Sequence, residues 1–216
     1  MRAVIFANGD LCFSPSELTF HGEELIIAAD GGSQHCLALD LLPDILIGDL
    51  DSTSESLRRD WEAKGVEIIS HPERKDETDL ELALLQAQKQ GVDEIHVYGA
   101  VGGRLDMTFA NLMLLAHPQL QIPVTLICGR EEIHVLRAGD TLHINGSPGD
   151  TISLISLQPG TNRITTENLE YPLKDQALGY GVSRGISNSL TAQEAAVHLQ
   201  DGLLAVFHLR SGSSRE

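Results

Sequence analysis

The spacing of apolar positions along this chain changes near residue 130. Before that point short apolar runs alternate with amphipathic stretches. AVIFA, ELIIAA, ILIG, VEII, EIHVYG and VTLIC read as buried strands. Between them SQHCLALDL, SESLRRDWEAKG, TDLELALLQAQKQG and the stretch from Arg104 to His117 read as helices. In the third of these, Leu80, Ala83, Leu84 and Ala87 share one helical face, and Gly91 supplies a C-terminal stop. Apolar strands separated by helices predict an α/β domain over residues 1–129, with a mostly parallel sheet and flanking helices. In such sheets ligands bind beyond the carboxyl ends of the strands.

After residue 130 the helices stop. EIHVLRAGD, TLHINGSPGD, TISLISLQPG, ITTENLEYPL and EAAVHLQDGLLAVFHLR are short alternating runs punctuated by Gly, Pro, Asn and Asp. They predict a C-terminal all-β, sandwich-like domain over residues 130–216. Asp201-Gly202, between two alternating runs, predicts a hairpin, and the terminal SGSSRE is expected to fray.

Composition narrows the partners. The 216 residues carry a formal net charge of −16, which disfavours nucleic acid and anionic membranes. An anionic substrate would need local basic groups or divalent cations. The three cysteines, Cys12, Cys36 and Cys128, are odd in number, far apart and in no C-x-x-C pair. They read as thiols of a reducing cytoplasm rather than a disulfide framework or a zinc-thiolate site. MRAVIFANGD is too short for a signal peptide and reads as a first strand. No run approaches the ~18 apolar residues of a membrane helix.

The acids of interest sit at strand ends. Asp30 closes ELIIAAD ahead of Gly31-Gly32, Asp49 and Asp51 close ILIGDLD, Asp79 follows VEIIS and opens a helix, and Asp106 follows EIHVYGAVGGR. In a parallel sheet these ends share one rim. Ser52-x-x-Glu55 and Thr78-x-x-Glu81 fit the helix capping box, so Asp51 and Asp79 could merely complement helix N-termini. Asp49 precedes the cap and escapes that account. Carboxylates two apart on a strand share a side, about 7 Å apart, and repel unless a cation lies near. Hard oxygen ligands select magnesium or calcium, and magnesium accompanies nucleotide phosphates.

Gly31-Gly32 and Gly102-Gly103 each follow a strand and precede a helix, as glycines near phosphates do, although tight βα turns need glycine anyway. Neither G-x-x-x-x-G-K-[ST] nor G-x-G-x-x-G is present. Arg74, Lys75 and Arg104 are the basic residues close to these turns. D-L-D-S-T also fits the D-x-D-x-T of haloacid-dehalogenase-type phosphatases, which carry it after their first strand.

Read together, AADGG (28–32), PDILIGDLDS (43–52), KDETDLELAL (75–84) and GAVGGRLDMTFANL (99–112) resemble the thiamine pyrophosphokinase family. DTISLISL, TTENLEYPL (165–173) and GISNSL (185–190) look like its thiamine-binding β domain. Met107 stands where bacterial members often have histidine, and GDLDS replaces a frequent GDFDS. The resemblance implies transfer of a diphosphoryl group from ATP to the hydroxyethyl group of thiamine, with Mg2+ as cofactor. It implies Asp49, Asp51, Asp79 and Asp106 as catalytic residues, the first three of them metal ligands. Asp30, Gly31, Gly32, Lys75, Asp76, Thr78 and Arg104 would serve ATP, and Tyr171, Ser187 and Asn188 thiamine. It also implies a homodimer, the β domain of one subunit closing the ATP site of the other. A diphosphotransferase acting on another hydroxyalkyl heterocycle, such as a pterin, and a non-catalytic nucleotide or thiamine sensor stand as alternatives.

Overall fold

Among the described residues of the first unit, residues 1–129, six parallel strands form a sheet: β1 (Arg2–Phe6), β2 (Leu25–Ala29), β3 (Ile45–Gly48), β4 (Glu67–Ser70), β5 (Glu94–Tyr98) and β6 (Val124–Cys128). The computed structural model describes residues 1–12, 18, 20, 22–159 and 163–211. The strand order is β6-β5-β1-β2-β3-β4, so the chain steps outward from β1 and then returns to pair β5 on its other edge. That reversal opens a crevice beyond the carboxyl ends of the strands flanking β1.

Among the described residues the α-helices α1 (Ser33–Ala38), α2 (Glu55–Ala63), α3 (Asp79–Lys89) and α4 (Leu105–Leu114) join the strands. Val4, Phe6, Ala28 and Leu46 form one cluster with Cys36 of α1 and Trp61 of α2. The intervening Ile5, Ile27 and Ile45 point to the other face, because strand side chains alternate. Leu80, Ala83, Leu84 and Ala87 are the buried positions of α3, which packs on β1, β2 and β3. Thr78 caps α3, its Oγ1 accepting from the Glu81 N–H at 3.2 Å. In α2 the cap is Ser54 rather than Ser52, its Oγ accepting from the Leu57 N–H. Among the described residues no helix is long and apolar enough to cross a membrane.

The cysteine expectation is overturned. Cys12 and Cys128 form a disulfide, with Cα atoms 5.1 Å apart. The reason is the path beyond β1: Ala7, Gly9 and Asp10 donate backbone hydrogen bonds to Tyr98, Gly99 and Val101. The segment thereby crosses the end of β5 and brings Cys12 to the end of β6. Cys36 stays a buried thiol, pushed up to about 12 by burial.

Residues 130–216 form the second unit. Its strands are β7 (Glu131–Arg137), β8 (Thr141–Asn145), β9 (Thr151–Ser156), β10 (Ile164–Glu167), β11 (Asn188–Ser189), β12 (Glu194–Leu199) and β13 (Leu203–Leu209). They make two antiparallel groups, β11-β9-β13-β7 and β10-β12-β8. Leu136, Ile152, Leu154, Val197, Leu204 and Val206 belong to their common core. The turn at Asp201-Gly202 is present, but it makes no hairpin. β12 pairs with β8 and β10 while β13 pairs with β7 and β9, so this turn carries the chain from one sheet to the other. Residues 212–216 of the expected frayed tail lie outside the described residues.

Candidate active site

The crevice of the first unit is a cavity of about 490 Å³, walled by the segments that leave β1, β2, β3 and β5 and by the first turns of α3 and α4. Asp30, Asp49, Lys75, Thr78, Asp79 and Arg104 line it, together with Asn8, Asp10, Glu73, Glu77, Met107 and Asn111.

One carboxylate oxygen from each of Asp30, Asp49 and Asp79 lies within 4.8 Å of the others. Parallel pairing delivers the first two side by side from the ends of β2 and β3, and the Thr78 cap sets Asp79 in the first turn of α3. Gly48 makes the convergence possible: at φ +143° a Cβ there would stand 2.9 Å from Asp79 Oδ1 and 3.0 Å from Asp30 Cβ. Asp30 and Leu50 adopt the left-handed region, φ +40° and +64°, which is costly for residues with side chains and often found at functional sites.

Such a group repels itself. Burial pushes the Asp30 carboxyl above its usual range; a hydrogen bond from Ser52 opposes this, and the charges of Asp79 and Asp51 add to it. Lys75 supplies the only basic side chain close to the trio among the described ion pairs, its Nζ 2.7 Å from Asp79 Oδ1 and 3.9 Å from Asp49 Oδ2. Three hard oxygen donors, partly desolvated and in excess over one ammonium, fit a divalent cation such as magnesium.

Other expected residues fall elsewhere. Asp51 is exposed and accepts from its neighbour Ser52 Oγ at 2.9 Å, while its own N–H points at Asp49 Oδ1. Asp30 takes its place in the trio. Gly31 and Gly32 do not reach the cavity surface: a Cβ on Gly32 would lie 1.9 Å from Phe6 O, so this glycine lets the turn after β2 pack against β1. Asp76 also lies outside the lining. Asp106 is exposed and held by Arg104 through contacts of 2.6 and 3.2 Å. That hydrogen bond holds its carboxyl below the usual range. Asn8, Asp10 and Asn111 also line the cavity; the polar Asn-Gly-Asp just after the first strand is a sequence signal for the first two, and none marks Asn111.

A sequence profile of the thiamin pyrophosphokinase catalytic domain matches residues 17–126, and one of the vitamin B1 binding domain of the same enzyme matches residues 133–204. The chain belongs to the thiamin pyrophosphokinase family. Thiamine pyrophosphokinase of Bacillus subtilis is 29% identical over 203 residues, covering 93% of this chain and 94% of its own. Thiamine pyrophosphokinase 1 of rice is 25% identical over 178 residues, 78% of this chain and 67% of its own. The crystal structure of the Bacillus subtilis enzyme superposes with a TM-score of 0.86 at 26% identity, covering 98% of this chain and all of that one (100%).

The vitamin B1 binding domain of this family member contains the other three expected residues. Tyr171 exposes most of its ring. Ser187 is left-handed, φ +60°, and its N–H donates to Ser153 Oγ at 3.0 Å. Asn188 turns its amide onto backbone: Oδ1 accepts from the N–H groups of Tyr171 and Ser189 at 3.0 and 2.9 Å, and Nδ2 donates to the Tyr171 carbonyl at 2.8 Å.

Proposed function

We propose that this chain transfers a diphosphoryl group from ATP to the hydroxyethyl oxygen of thiamine, releasing AMP. The observation that carries the proposal is the convergence of Asp30, Asp49 and Asp79 beside Lys75 in one cavity. In the reaction the thiamine alcohol loses its proton, its oxygen bonds to the β-phosphorus, and the bond from that phosphorus to the AMP oxygen breaks. Alignment of the two oxygens and neutralisation of phosphate charge do most of the catalysis.

Asp30, Asp49 and Asp79 would hold magnesium, and Asp51, whose backbone nitrogen lies 3.2 Å from Asp49 Oδ1, would act through water. The ion would supply the positive charge that an acidic protein otherwise lacks at the phosphates. Lys75 and Arg104 would bind phosphate oxygens, and the Thr78 hydroxyl at the start of α3 would add a further donor. In the second unit the exposed Tyr171 ring offers a face for the cationic thiazolium, and Ser187 a hydroxyl next to Asn188, which bonds the Tyr171 backbone. The vitamin B1 binding domain favours thiamine over a pterin as acceptor. The D-x-D-x-T phosphatase reading loses its support, because Asp49 follows the third strand and the second unit is all-β.

A homodimer with its active site at the subunit interface is part of the proposal. Leu105, Phe109 and Met113 recur every four residues along α4, 82%, 65% and 36% exposed, on the helix that also contributes Met107 and Thr108 to the cavity, next to Arg104 at its N-cap. Such an apolar row fits a second copy better than water. A cytoplasmic location belongs to the proposal through the use of ATP alone, because the case from reduced cysteines falls with the Cys12–Cys128 bridge.

The test is incubation with ATP, magnesium and thiamine, with products separated by chromatography. Equimolar AMP and thiamine diphosphate are expected. ADP or free phosphate in place of AMP would overturn the proposal.

A further inference from the structure

Tyr171 stands where a β-ladder runs out. Leu169 and Leu190 form an antiparallel bridge, and the Glu170 N–H donates to the Ser189 carbonyl at 2.9 Å. One more step would put Tyr171 opposite the backbone of Asn188. That backbone is committed on its other side, where β11 pairs with β9 and Asn188 faces Ile152. Just before it, Ser187 turns the chain into the left-handed region. The side-chain amide of Asn188 substitutes for the missing peptide. It presents an acceptor to the Tyr171 N–H and a donor to the Tyr171 carbonyl, the two groups a neighbouring strand would satisfy. The orientation of the amide follows from chemistry, since N–H groups only donate and a carbonyl only accepts.

We infer that Asn188 is a positioning residue, which fixes the backbone of Tyr171 so that its exposed ring is held ready for the thiamine heterocycle. The inference rests on the reading of Tyr171 as a thiamine contact. Both lone pairs of Asn188 Oδ1 are occupied, by the Tyr171 and Ser189 N–H groups, and one Nδ2 hydrogen is occupied by the Tyr171 carbonyl. A single N–H is left over, which is what an independent contact with the pyrimidine would have to use. Without the clamp, the Tyr171 backbone would lose two hydrogen bonds, and its ring would be ordered only on binding, at the expense of affinity.

The experiment is a double-mutant cycle on the full-length protein at saturating ATP and magnesium, with Asn188→Ala, Tyr171→Ala and the pair. Each single change is expected to raise the KM for thiamine about tenfold, with kcat within about threefold of the wild type. The double variant is expected to match Tyr171→Ala, because the clamp has no ring left to position. A double variant whose KM is the product of the two single effects, about a hundredfold, would overturn the inference and make Asn188 an independent ligand contact. A wild-type KM in Tyr171→Ala would instead remove the underlying reading of Tyr171, and the inference with it. Asn188→Asp keeps the acceptor and loses the donor, so it covers the case of an unstable alanine variant; an intermediate KM is expected. A role in stability alone would lower the melting temperature and leave KM where it was.

Discussion

Lys75 donates to Asp79 across 2.7 Å, four residues apart in sequence, its side chain 11% exposed beside the acid trio. The lysine offsets charge that Gly48 and the strand ends force together. Lys75→Met should therefore leave the carboxylates uncompensated, lowering stability without divalent metal by about 2 kcal/mol and kcat/KM by at least about a hundredfold. Asp49→Asn should act in the opposite sense on stability, because it removes one of the mutually repelling charges, while still losing most activity. Thermal melts in chelator and in magnesium chloride, run beside activity assays, check both. Equal melting of the two variants in chelator would contradict this account of the charges.

The cystine has a direct chemical signature. Unfolded under non-reducing conditions without prior alkylation, the protein should show one titratable thiol, Cys36, rather than three. Cys12→Ser should lower stability by about 2–4 kcal/mol, since the bridge closes a loop of more than a hundred residues. Three thiols in the oxidised protein would refute the bridge.

Acid should loosen the second unit through two carboxylates. A hydrogen bond from His134 holds Glu132 down at about 2; burial opposes this and the Arg210 guanidinium assists. Burial alone would raise Asp150, but hydrogen bonds from Ser147, His208 and Ser211 outweigh it and hold the carboxyl well below its usual range. Both groups are more acidic folded than unfolded, so the unfolded chain binds more protons below pH 4.5. Their contribution is complete above pH 4.5 and is lost as pH falls toward 2. Glu132→Gln should cost about 2 kcal/mol at pH 7 and flatten the fall of melting temperature across that window. An unchanged pH profile in this variant would rule Glu132 out as a source of the acid sensitivity.

Local patterning in the sequence determined what depends on near neighbours. The Leu80–Ala87 stripe set the buried face of α3, Thr78 its start and Gly91 its end, because helical periodicity and capping act within one or two turns. Strands ending in Asp30 and Asp49 and a helix opening with Asp79 were likewise legible, and parallel pairing was enough to suggest a shared rim. Tertiary structure decided which acids actually meet. Asp51 lies only two residues from Asp49, yet Asp30 from the adjacent strand joins the trio instead, and Asp106 pairs with Arg104. The bridge from Cys12 to Cys128, the sheet-to-sheet passage at Asp201-Gly202 and the clamp of Asn188 on Tyr171 were equally out of reach. Each depends on where distant segments are laid beside one another, and period and capping signals carry no information beyond a few residues along the chain.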